Sequence, residues 1–144
     1  MADIIFHQAI GAMASGAIDW ENDTLKAALI SGIWDVDVDA DSWADVSPYE
    51  HANANGYTQG GYTVTGSLTV QDGSNNVKFD ITDPTWTASG GSIIASGCIL
   101  YDDTTAEDRL IYYFDFGENK EAADGADFTI NIDGTNGLMT GAQG

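Results

Sequence analysis

The sequence predicts an all-β domain, a β-sandwich or a small barrel, with a short helix at its N-terminus. Three observations carry this. The chain has 144 residues, the length of one domain. About seven or eight short segments either alternate apolar and polar residues or run continuously apolar, the patterns of half-buried and fully buried strands. Turn residues punctuate them, with 17 glycines against 2 prolines, as short strands joined by tight turns require. No internal repeat is visible, which argues against a propeller or solenoid. The whole chain, 1–144, reads as a single domain.

Within residues 1–18, Phe6, Ile10, Met13 and Ala14 are spaced i, i+4, i+7, i+8, one face of a helix. Gly11 and Gly16 weaken it, by about 1 kcal/mol for each interior glycine. Asp19–Asp23 reads as a turn and Thr24–Ile30 as a strand buried on both sides near its end. Residues 31–59 form a long excursion. Trp34 to Asp41 alternates apolar and acidic residues, which fits an extended strand, but five carboxylates from Asp35 to Asp45 repel one another, which fits a solvated acidic loop equally well. Asp41 to Val46 has the alternative of one helical turn. Loops this long are usually functional or mobile.

From Gly60 onward the pattern is β. Tyr62–Val70 alternates, with Val64, Leu68 and Val70 expected on one face. Asp72-Gly73 turns the chain, Val77, Phe79 and Ile81 alternate again, and Asp83-Pro84 ends that strand. Thr85–Ala88 reads as a short strand or a strand bend. Ser92–Tyr101 is apolar enough to be central. A polar hairpin loop over Asp102–Asp108 leads to the aromatic strand Leu110–Phe116. Gly117–Gly125 reads as an acidic loop, Phe128–Ile132 as the last clear strand, and Gly137–Thr140 as a short edge strand.

Charge narrows the function classes. Acidic residues number 23 and basic residues 4, a net charge of −19. A nucleic-acid surface needs Lys and Arg to neutralise phosphates, and an anionic membrane needs them too, so neither partner is expected. Fifteen aromatic residues (4 Trp, 6 Tyr, 5 Phe) exclude a disordered acidic tail. The single cysteine, Cys98, lies in an apolar run and reads as a buried free thiol, which excludes an internal disulfide and a cysteine-rich zinc site. No apolar run reaches the roughly 18 residues of a membrane span. Asp3 stands where a signal peptide carries basic residues, so synthesis and retention in a cytosol are expected.

Motifs for chemistry fail when their spacing is checked. An EF-hand needs Gly at position six and Glu at position twelve. Counted from Asp35 these positions hold Ala40 and Val46, and counted from Asp37 they hold Ser42 and Pro48. Neither frame fits, which leaves a looser cation cage or a solvated loop. Paired carboxylates of the glycosidase kind arise by chance among so many acids. His7 and His51 accompany no nucleophile elbow, and no phosphate-binding glycine loop is present. No enzyme activity and no cofactor is expected. Trp20, Trp34, Trp43 and Trp86, with Tyr49, Tyr57 and Tyr62, could line a sugar-binding face. Alternatively Trp86, Tyr113, Phe114 and Phe116 are core, and Trp34 and Trp43 plug the long loop onto the sheet.

The order of segments carries more information than any single one. Ile18-Asp19 and Asp23-Thr24-Leu25-Lys26-Ala27-Ala28-Leu29 open the chain's β region. GYTQGGYTVTG (56–66) follows, then NVKFDITDPTW (76–86), ASGCILYDD (95–103), LIYYFDFGENK (110–120) and FTINIDGTNGLMT (128–140). This order resembles a family of small virion structural proteins of tailed bacteriophages, over roughly residues 6–140. Members combine an I-D-x-x-x-D-x-[IL]-K-[VA]-A-L opening, a G-Y-x-x-G-G core and a late D-F-G. Trp20, where Leu or Phe is common, and the acidic stretch from Asp35 depart from the pattern.

The resemblance implies a capsid decoration or cement protein, a jelly-roll-like sandwich that assembles as a homotrimer and binds the major capsid protein. A tail or adaptor component and a carbohydrate-binding module are the alternatives. A chain of −19 inside a DNA-filled head would repel the packaged phosphates, so the capsid exterior is expected, after synthesis in the host cytoplasm. Interface residues are expected at Ile4, Ile5 and Phe6, an apolar chain end that either docks on a neighbour or pairs in its own sheet, and at Trp34 and Trp43.

Overall fold

A continuous apolar strand needs cover on both faces, and the fold is organised around three of them. The structure, a computed structural model, describes residues 3–32, 34, 35, 37, 39–74, 76–135 and 137–142. It is mostly β, in antiparallel sheets. The main sheet is built from β1 (Ile4–Ile5), β2 (Leu25–Ile30), β3 (Tyr62–Val64), β7 (Ile93–Asp102) and β8 (Arg109–Ala122), in the order β1-β8-β7-β2-β3. A second sheet holds β4 (Gly66–Gln71), β5 (Asn76–Ile81) and β10 (Met139–Ala142), in the order β10-β5-β4. A third pairs β6 (Thr85–Thr87) with β9 (Asp127–Thr129). Helix α1 (His7–Ser15) lies over β8, and α2 (Trp43–Val46) is a single turn.

The strand partners define the two faces of the main sheet. Ile99 stands opposite Ala28 and Tyr113, and Tyr101 lies two residues further along β7, so these side chains share one face. Trp34 packs edge-on against Tyr113, with ring centroids 5.2 Å apart, and Trp43 stacks on Tyr101 at 4.5 Å and 6°. The described part of 31–50 therefore roofs that face. On the other face Leu100 stands opposite Ala27 and Tyr112, and Ala27 opposite Tyr62. Tyr62 meets Trp86 of β6, which meets Phe128 of β9. The β6–β9 pair roofs that side. Each large apolar side chain buried this way contributes about 1.5–3 kcal/mol.

The excursion is more ordered than its composition indicates. Ser42 and Asp45 form a capping box around α2, the helical turn that Asp41–Val46 offered as an alternative. Further on, the chain extends the sheet where β3 stops short. Ile30 bridges Glu50, the His51 N–H donates to the Leu29 carbonyl, and the Ser31 N–H to that of Tyr49. The remaining edge group, the Leu29 N–H, donates to the Tyr57 hydroxyl oxygen at 3.0 Å. Tyr57 in turn donates to Glu50 Oε1 at 2.7 Å, and the Gly60 N–H donates to the same oxygen at 2.6 Å. The Tyr101 hydroxyl closes the set on the Gly60 carbonyl at 2.6 Å. Burial raises the Glu50 carboxyl and, with Glu50 beside it, the Tyr57 phenol. The alternation at Trp34–Asp41 forms no strand in its described residues, and Val36 and Val38 lie outside them.

Two expectations are corrected. Val64, Leu68 and Val70 do not share one face: Val64 is buried, whereas Leu68 is 40% and Val70 68% exposed. The chain changes sheets at Thr65, between β3, which pairs with β2, and β4, which pairs with β5. Gly66 permits the change, because a Cβ there would strike the Trp20 carbonyl. The expected loop over Gly117–Gly125 is also largely strand, since β8 runs on to Ala122 and pairs Lys120–Ala122 with Ile93–Ala95. A register shift between Ala95 and Gly97 absorbs the extra β8 residues, with Gly117 at φ 73°. The last strand is shorter than its Phe128–Ile132 pattern.

Tyr57→Phe strips one hydroxyl that serves both a sheet N–H and a half-buried carboxylate. It is expected to cost about 1–3 kcal/mol, read as a lowered urea midpoint at unchanged slope. Tyr49→Phe, at an exposed hydroxyl, is the control and is expected to stay within about 0.5 kcal/mol.

Candidate binding surface

Helix α1 is closed by Gly16 in the left-handed region (φ 81°), whose N–H caps the last turn. It approaches β8 through its small residues: Ala9 and Ala12 are buried, while Ile10 is 54% exposed. Of the apolar stripe Ile10, Met13, Ala14, Met13 packs against the edge of the core while Ile10 and Ala14 stay exposed. After the helix, Asp19 caps its own turn by accepting from the N–H groups of Glu21 and Asn22. That turn is tied to the second sheet. The Trp20 indole donates to the Asp80 carbonyl at 2.9 Å, its ring meets Phe79 edge-on at 5.5 Å, and Glu21 Oε2 accepts the Leu68 N–H at 3.3 Å.

A groove of about 570 Å³ results. One wall is the α1 stripe, Ile18 and Trp20 lie along it, and Leu68, Phe79 and Met139 form the other wall. Asp19 is the only charged residue lining it. Its carboxyl is held below the usual carboxylate range by the Asn22 side chain, so it stays ionised. Such an arrangement presents apolar contact area beside fixed negative charge.

The expected interface residues are not gathered on one surface. Ile4 and Ile5 pair with Tyr113 and Tyr112 of β8, and of the five only Ile5 reaches the groove. Phe6 is fully buried, with its N–H on the Ile111 carbonyl. Trp34 sits between Phe6 and Tyr113, and Trp43 is flat on Tyr101, the plugging arrangement. Ile10, Leu68 and Met139 were absent from the expected set. The helical stripe held the signal for Ile10, while Leu68 and Met139 depend on the change of sheets.

The other chemistry-bearing residues are placed as follows. Asp35, Asp37, Asp39, Asp41 and Asp45 are exposed. Among the described residues no three His, Cys, Asp or Glu side chains are grouped to hold a metal ion. His7 Nδ1 lies 3.1 Å from Asp39, and His51 is buried with Nδ1 on the Ala52 carbonyl at 2.8 Å. Cys98 is buried, and burial pushes its thiol pKa up.

Asp102 is the exception among the acids, with 0% exposure. Its Oδ1 accepts the Thr104 N–H at 2.8 Å, but no N–H or O–H donor reaches its Oδ2. Burial, followed by the facing Asp23 carboxylate, pushes its pKa up to about 7 from an ordinary 3.8. The pair is satisfied when Asp102 carries the proton and donates it to Asp23.

A folded pKa above the unfolded one means that the native state holds the proton more tightly. This contribution to stability is complete below pH 4 and is lost as pH rises to about 7. Asp102→Asn keeps an acceptor for Thr104 and a donor for Asp23 without a charge. It is expected to gain roughly 1–3 kcal/mol over the parent at pH 8, and little at pH 4, in urea unfolding at both. A gain that does not change with pH would show that the carboxyl ionises in the folded chain at its ordinary pKa. Compared with family models, curated proteins and solved structures, the chain matches none.

Proposed function

We propose that this protein is a virion structural protein of a tailed bacteriophage, a decoration or cement protein on the outer capsid surface. In this reading the sheets form a jelly-roll-like β-sandwich, three copies assemble over the major capsid protein, and the contact stabilises the shell. The observation that carries it is the apolar groove between α1 and the second sheet, with Ile10 and Leu68 left to solvent on a highly acidic domain. An apolar surface of this kind on a stable scaffold belongs to a protein that works by being bound. The order of segments from Ile18 to Thr140 supports the phage assignment. The charge supports the exterior, since −19 beside packaged phosphates is repulsive. No helix among the described residues is long and apolar enough to cross a membrane.

Electron imaging of particles from the phage that encodes the chain, with and without its gene, tests the assignment. Added density on the head at local threefold positions, and heads that rupture at lower temperature without it, are the expected results. Density confined to the tail would make it a tail component, and absence from the particle would overturn the assignment. Light scattering on the purified chain is expected to give a trimer mass.

A further inference from the structure

We propose that the groove between α1 and the second sheet docks a segment of a partner protein that combines apolar anchors with Lys or Arg, and not a second copy of this chain. The proposal deepens the reading of the chain as a particle-surface protein, and rests on it, by naming the chemistry of what the surface meets.

The apolar half of the argument is exposure. Ile10 on the helix wall and Leu68 on the sheet wall face solvent across the groove, and Val70 continues the apolar line along β4. β4 is also an edge of its sheet. The electrostatic half is the rim. No Lys or Arg lines the groove, whereas Asp19 lines it and exposed Glu21 reaches its Leu68 wall. Exposed Asp3, two residues before Ile5 in sequence, turns its carboxylate to the Tyr112 hydroxyl and the Asp115 N–H of β8.

The chain's own cations are engaged elsewhere. Lys26 pairs with Asp103, Lys78 with Asp80, Arg109 with Glu107 and Lys120 with Glu118, at 2.7–3.5 Å. A second copy would therefore bring the same acidic rim to the same face, and like charges meeting across an interface oppose it. A cationic segment meets the opposite field at Asp19 and Glu21. Contact of this kind is strengthened at low salt, where the screening length is long.

The test uses the full chain and two short synthetic peptides of helical amphipathic pattern, one of Leu and Lys and one of Leu and Glu. Calorimetry gives affinity, and methyl NMR gives the site. The Leu/Lys peptide is expected to bind and to shift the methyl signals of Ile10, Met13 and Leu68. Its affinity should fall at least about tenfold between about 0.05 and 0.5 M salt, and the Leu/Glu peptide should not bind. The double variant Ile10→Ser/Leu68→Ser is expected to keep its melting temperature, both side chains being exposed, and to lose at least about tenfold in affinity.

Equal binding of the two peptides, or shifts centred on Asp35–Asp45, would overturn the proposal. So would a parent oligomer that the double variant abolishes, which would make the groove a self-interface. The shift map on the parent chain stands even if the variant misfolds. Loss of the chain from particles would leave the peptide result intact, whereas failed peptide binding beside head-bound protein would place attachment on another surface and reject this one.

Discussion

Two-sided burial of the β2–β7–β8 ribbon is the constraint that the remaining structure serves. The chain cannot lean on electrostatics: its four cations form pairs that keep some contact with solvent, each worth about 0–1 kcal/mol, and the other acids repel. Cohesion must come from apolar area, and a strand that is apolar on both faces needs two roofs. The described part of 31–50 supplies one through Trp34 and Trp43, and the β6–β9 pair supplies the other through Trp86 and Phe128. Those side chains are committed by the core, which is why they make poor candidates for a sugar-binding face.

How far the sequence could be read follows from the same distinction. Strands with a strong local period were legible: β2, β7 and the first half of β8 lie where their apolar runs place them. So was the break at Asp83-Pro84, because proline ends a ladder locally. The continuation of β8 to Ala122 was not legible. Gly117-Glu118-Asn119 is polar and loop-like, and only the partner strand beyond the register shift recruits the residues after it. The split at Thr65 was hidden for a related reason. Tyr62 to Val70 keeps one alternation throughout, while Gly66 against Trp20 redirects the chain by a contact 46 residues distant in sequence.

The candidate surface was half legible. The spacing of Phe6, Ile10, Met13 and Ala14 announces a helix, yet it cannot say which side meets the sheet. Close approach to β8 selected the small residues Ala9 and Ala12, Met13 packs at the edge of the core, and Ile10 was turned outward. Phe6 escaped that fate because it precedes the helix and enters the core from the end of β1. Periodicity identified a stripe and left its partner open.

Exposed apolar residues on an edge strand are normally a hazard, because the open ladder templates pairing between copies. β4 carries Leu68 and Val70 in that position without the lysines that commonly guard an edge. Its protection is of another kind. Glu21 occupies the outward Leu68 N–H, and a net charge of −19 keeps identical edges apart over the screening length. Charge repels a second copy and attracts a basic partner by the same field. The acidity that argues against nucleic acid therefore also sets a sign requirement on the partner proposed for the groove.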